Sequence, residues 1–173
     1  MRSLRIKLFK LSYTIDFLVL FLFFAVFLDV LSTSLFVELN VGTEANFILK
    51  DLISISIWFI PIYLFSTNAI FVPFLSDVLR KTFCFTLGFL SALLGVNNFS
   101  LVLFDYAVLI DTIGFNVLVI LCVLLGFSVF VYFVKKQKMN KNEAINISFK
   151  LFLFCLFLAL IHFLFIAISW LLS

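Results

Sequence analysis

The stretch DFLVLFLFFAVFLDVLSTSLFVE, residues 16–38, decides the fold. A helix rises 1.5 Å per residue, so about 20 apolar residues cross a hydrocarbon layer of about 30 Å. Asp16 and Glu38 close the run at its ends, and Asp29 is the one charge inside it. The run therefore reads as a membrane-spanning helix that carries a carboxylate near its middle. The basic opening before it, MRSLRIKLFK, is that of a signal peptide. No small-residue cleavage site precedes Ala25, so the run is expected to be retained as a first span.

Outside this run the composition points the same way. Hydrophobic residues make up 65% of the 173, charged residues only 12%, and the mean hydropathy is +1.32. Soluble domains carry about a quarter of their residues as charge. Four further runs reach spanning length, at about 52–76, 82–104, 112–134 and 149–172, each flanked by charge. The expected fold class is all-α, a polytopic transmembrane helix bundle of five spans forming a single transmembrane domain over residues 1–173. The 27 Phe suit lipid-facing and bundle-filling surfaces alike. Cys84, Cys122 and Cys155 fall in three different apolar runs, with neither a zinc pattern nor a disulfide framework, and read as packing.

Lys and Arg set the expected orientation, because positively charged loops stay on the cytoplasmic side. Arg2, Arg5, Lys7, Lys10, Arg80, Lys81, Lys135, Lys136, Lys138, Lys141 and Lys150 fall on one side of the five-span arrangement, and Lys50 on the other. The N-terminus is expected inside and the C-terminus outside, with Trp58 and Trp170 near the outer interface. The basic turn KKQKMNKNE, residues 135–143, reads first as a topology anchor and second as a headgroup patch. Leu4, Leu8 and Leu11 set against Arg5 and Lys7 suggest an amphipathic lead-in on the inner surface.

Depth arithmetic gathers the polar residues into a layer. Asp29 lies 13 residues past Asp16 and His162 12 past Lys150, about 20 Å and 18 Å up. Asn97 lies 16 residues past Lys81 and Pro61 16 before Asp77, each about 24 Å up. A carboxylate at that depth costs about 2.5 to 3.5 kcal/mol on insertion scales, so Asp29 is expected to face the bundle interior. Ser32 and Thr33, three and four residues on, share its helix face. Pro61 donates no N–H and is expected to leave the Ile57 carbonyl as a further acceptor. Glu44 and Asn46, just beyond the first span, are expected to fold back as a lid or to cap the second helix. Hydroxyls that bond one turn back, amides that glue helices and a histidine in an interhelical contact would explain the same residues structurally.

The order Asp29-x-x-Ser32-Thr33, then Gly42-x-Glu44-x-Asn46, then Asn97-Asn98 resembles a family of small polytopic membrane proteins of archaea and bacteria, known only as a domain of unknown function. The resemblance covers about residues 16–104 and departs from the family at Phe47, where Pro is usual. It implies that Asp29, Ser32, Thr33, Glu44 and Asn46 form one unit, and it carries no activity with it.

Three functions compete at this point. The first is a non-catalytic subunit or assembly component of a larger membrane complex, with other membrane subunits or copies of itself as partners and the polar layer specifying helix packing. The second is a binding or permeation protein for a cation or proton, at Asp29, Ser32, Thr33, Glu44, Asn46, Asn97, Asn98 and His162. The third, ranked last, is a lipid-active enzyme using Asp29 and His162 as acid and base. No Walker loop, HExxH, GxSxG or CxxC occurs, and one His does not supply paired haem ligands. The expectation is accordingly no catalytic residue, no metal, no cofactor and no nucleic acid, with the chain in the lipid bilayer of a prokaryotic plasma membrane.

Overall fold

Alternation with period two, not helical spacing, governs the start of the chain. Leu4, Ile6 and Leu8 alternate with Arg5 and Lys7, and a two-residue period is that of a strand. Leu4–Leu8 (β1) pairs antiparallel with Leu11–Ile15 (β2), Leu8 opposite Leu11 and Leu4 opposite Ile15. The amphipathic lead-in suggested by the sequence is thus a hairpin. The computed structural model describes residues 4–8, 11–39 and 47–172, so Glu44 and Asn46 lie outside the described residues.

Beyond the hairpin the described residues are mostly helical. Among the described residues four helices are long and apolar enough to cross a membrane. Phe17–Glu38 (α1) begins where Asp16, in extended backbone, accepts the Val19 N–H at 3.1 Å, a side-chain N-cap. Asp77–Phe104 (α4) ends at Asp105, which takes the left-handed conformation (φ 56°) that Asp tolerates better than most residues. Phe115–Lys136 (α6) places Lys135 and Lys136 in its last turn, where the helix dipole favours cations. Lys141–Leu172 (α7) opens on a capping box, the Asn140 N–H donating to Glu143 Oε2 at 3.0 Å and the Glu143 N–H to Asn140 Oδ1 at 2.9 Å. The box starts α7 eight residues before the apolar run, at Lys141 and not at residue 149.

The run 52–76 is interrupted, contrary to a single apolar helix. It divides into Phe47–Ile55 (α2), Phe59–Asn68 (α3) and a 3-10 turn, Val72–Phe74. Pro61 explains the first break, because it cannot donate to the Ile57 carbonyl and so fits only the first turn of a new helix. That carbonyl accepts the Ile60 N–H at 3.1 Å, so it is not the free acceptor expected from the sequence. A short helix, Val108–Ile113 (α5), joins α4 to α6 through Gly114, whose φ of 87° favours glycine.

Two parallel helices form the centre. Asp16 meets Arg80, Leu22 meets Gly88, Asp29 meets Gly95 and Thr33 meets Asn98, so α1 and α4 ascend in register. Buried residues of α1 recur at Val19, Leu22, Val26, Asp29, Thr33 and Phe36, the alternating three- and four-residue spacing of left-handed helix packing. Gly88 and Gly95 answer from α4, and at Gly95 a Cβ would lie 3.3 Å from the Asp29 nitrogen. A missing side chain thus lets the two backbones touch. On the other side of α4 runs α6, antiparallel, with Gly126 against Thr86 and Gln137 against Asp77. Rings join α7 to the centre: Phe154 on Phe83, Phe157 on Phe71 and Phe165 on Tyr63. The core gathers Val19, Leu22 and Val26 with Leu52, Ile60, Tyr63 and Cys84.

Candidate functional site: a polar layer between two parallel helices

Asp29 is 3% exposed and Thr33 2%. Both lie on the buried face of α1, one helical turn apart, so their side chains stack. Thr33 Oγ1 is within 3.5 Å of Asp29 Oδ1, at the long limit of a hydrogen bond, and accepts from Asn98 Nδ2 at 3.0 Å. Amide, hydroxyl and carboxylate follow one another across the helix pair. The α4 residue facing the Asp29 backbone is Gly95, so the carboxylate-bearing turn of α1 sits flush against α4.

The other residues expected in the layer divide. Ser32, fully buried, donates to the Asp29 carbonyl at 3.0 Å, a bond one turn back along its own helix. Asn97 serves α5. Its Oδ1 accepts the N–H groups of Leu109 at 2.9 Å and Ile110 at 3.0 Å, capping α5 from another helix. Ser100 supports the same corner, accepting the Val108 N–H at 3.2 Å beside the Asn97 and Tyr106 carbonyls. The two adjacent asparagines therefore serve different partners, since neighbours on a helix point about 100° apart. His162 belongs to α7, with its side chain outside those described, as are Glu44 and Asn46 altogether. The structure brings together Asp29, Thr33 and Asn98, with Ser32 beside them.

A second polar cluster joins the opposite end of the same helix pair. Arg80, with 7% of its side chain exposed, sends Nε and Nη2 to Asp16 Oδ2 at 3.1 and 2.9 Å, and Nη2 to Asp77 Oδ1 at 2.7 Å. Asp77 Oδ2 also accepts from Lys81 at 2.6 Å and from Gln137 at 2.8 Å, so α1, α4 and α6 meet at one carboxylate-guanidinium knot. In the sequence these residues read only as charges flanking spans. The Asp77-x-x-Arg80-Lys81 spacing was the available signal, since i,i+3 and i,i+4 pairs face one another.

No family model, no curated protein and no solved structure matches this chain. The chemistry of the site rests on its geometry. Among the described residues no buried side-chain nitrogen or oxygen lacks a hydrogen-bond partner, and no three His, Cys, Asp or Glu groups converge as metal ligands do. One carboxylate beside hydroxyls and an amide can fix helix register or hold a proton.

Proposed function

We propose that this chain is a small integral membrane protein that crosses the bilayer five times and acts as a non-catalytic subunit or assembly component of a larger membrane complex. The observation that carries the proposal is the use of the polar layer: Asn98 and Thr33 bind α4 to α1, Ser32 bonds its own helix, and Asn97 caps α5. Such interhelical bonds are worth about 0.6 to 2 kcal/mol each, enough to fix which faces meet. The exposed apolar surface accords with neighbours or lipid on most sides. In the most apolar stretch of α1, 39% of residues are buried, against 6% in α7.

Helix direction supports five crossings. α1 and α4 run parallel, so if both span, the segment between them must return across the bilayer, and α3 lies beside α1, with Phe65 on Phe23, while the 3-10 turn reaches β2 at the base of α1. The break before Pro61 makes this return shorter than the others, with Trp58, 76% exposed, at its upper end, where an indole suits the interface. The lysine distribution supports an inner N-terminus. A reporter enzyme active only outside, fused after Ser173, is expected to be active, and one fused after Lys138 silent. The reverse pattern, or two active fusions, removes the assignment.

Substitution at Asp29 separates packing from proton or cation binding. Asp29→Asn keeps size and hydrogen bonding while abolishing titration, so a packing role predicts assembly and stability close to those of the parent. Asp29→Leu leaves the Thr33 hydroxyl without its carboxylate neighbour and is expected to cost about 1 to 3 kcal/mol, read as thermal unfolding in mild detergent. Loss of cellular function in Asp29→Asn with an intact, assembled protein favours the binding reading instead.

A further inference from the structure

α6 and α7 share a tight turn but do not stay together. Residues 137–140 join them, after which α6 lies on α4 and α7 on α2 and α3, without packing along one another among the described residues. Leu124 and Phe127 of α6, and Phe149 and Phe152 of α7, are each more than half exposed. At the closed end of this divergence stand Lys135, Lys136, Lys138 and Lys141, all exposed. No carboxylate pairs with any of the four among the described residues. The nearby acids are already engaged: Asp77 with Arg80, Lys81 and Gln137, and Glu143 in the cap of α7. Gln137, through Asp77, holds the turn against α4, and Lys136 is steadied over the Tyr132 ring at 5.6 Å.

From this charge and this shape we infer that the α6–α7 turn is a binding site for an anionic phospholipid, with its phosphate among Lys135, Lys136, Lys138 and Lys141 and its acyl chains along the diverging apolar helices. Unpaired cations immediately above exposed apolar side chains match an amphiphile with a negative head. A zwitterionic lipid brings its own cation into the lysine cluster and loses the preference. The inference holds whichever side of the bilayer the turn occupies.

The test uses the full chain in a mild non-ionic detergent, with native mass spectrometry after adding phosphatidylglycerol or phosphatidylcholine of identical acyl chains. Phosphatidylglycerol is expected to be retained about tenfold more strongly or better, since each lysine near an anionic surface contributes severalfold. The K135Q/K136Q/K138Q/K141Q variant is expected to lose that preference, and Lys50→Gln, an exposed lysine on another helix, to keep it. If the fourfold variant is not recovered folded, K135Q/K136Q and K138Q/K141Q made separately are each expected to reduce the preference in part. Equal retention of both lipids by the parent overturns the inference, as does a preference that survives the substitutions. Equal binding of the deacylated headgroup, glycerophosphoglycerol, overturns the lipid in favour of a free phosphodiester.

Discussion

Gly95→Leu is expected to disrupt the protein, lowering its stability in detergent by about 3 kcal/mol or more. The physical reason is that the three nearest neighbours of a Cβ at this site are backbone: the Asp29 nitrogen at 3.3 Å, the Leu28 carbonyl carbon at 3.4 Å and the Asp29 Cα at 3.5 Å. Backbone cannot swing aside, so a larger side chain must push α1 away and pull Thr33 from Asn98. Gly88→Ala is the informative contrast. A Cβ there meets the Phe21 ring at 2.8 Å, a movable side chain, and the Leu22 Cα at 3.3 Å, where a single methyl asks α1 for only a few tenths of an ångström while leucine at Gly95 would bring three further carbons against backbone. Alanine also favours the helix by about 0.8 to 1 kcal/mol over glycine, so this variant is expected within about 1 kcal/mol of the parent. Thermal unfolding of the two variants side by side checks the ordering. A Gly95→Leu protein that melts with the parent means that α1 and α4 do not meet at this level.

Arg80→Met is expected to have the next largest effect, a loss of about 2 to 3 kcal/mol. Methionine keeps most of the buried stem but strands the Asp16 carboxylate, whose side chain is 19% exposed, and removes one partner of Asp77. Asp77 is the more exposed of the two acids and keeps Lys81 and Gln137, so most of the loss falls at Asp16. The second substitution Asp16→Asn in the Arg80→Met background is expected to restore about half of the loss. Asparagine still caps α1, and no unpaired charge remains. A double variant no more stable than Arg80→Met means that the guanidinium acts by packing alone. Arg80→Lys is expected to fall between the two, since an ammonium cannot present Nε and Nη2 together to one oxygen.

Sequence and structure agree where length and charge carry the information. The four long apolar helices were legible because a run of about 20 apolar residues needs no knowledge of its neighbours. The ends of α1 and the far end of α4 were legible because Asp16, Glu38 and Asp105 mark them, whereas α4 starts at Asp77, five residues before the expected 82, because the charged turn that bounded the apolar run is itself helical. The early start of α7 was written as Asn140-x-x-Glu143, a capping signal outside the apolar run that defined the expected span. The break of the second run was readable in part from Pro61, whose fit to a first helical turn is local chemistry.

The sequence by itself determined which residues are apolar enough to span, where charge stops them, and that Asp29 and Asn97 stand at similar heights. Heights follow from counting along a helix of known rise. Only the tertiary structure decided which faces meet. Asp29, Ser32 and Thr33 mark the inward face of α1 in its upper part, but the apolar lower part carries no polar stripe to distinguish buried Val19, Leu22 and Val26 from exposed Phe17, Phe24 and Phe27. Gly95 selects the face of α4 by its missing side chain, and that choice carries Asn98 to Thr33 while Asn97, one residue earlier, goes to α5. One residue is about 100° of helix rotation, and only contact between two helices settles a rotation.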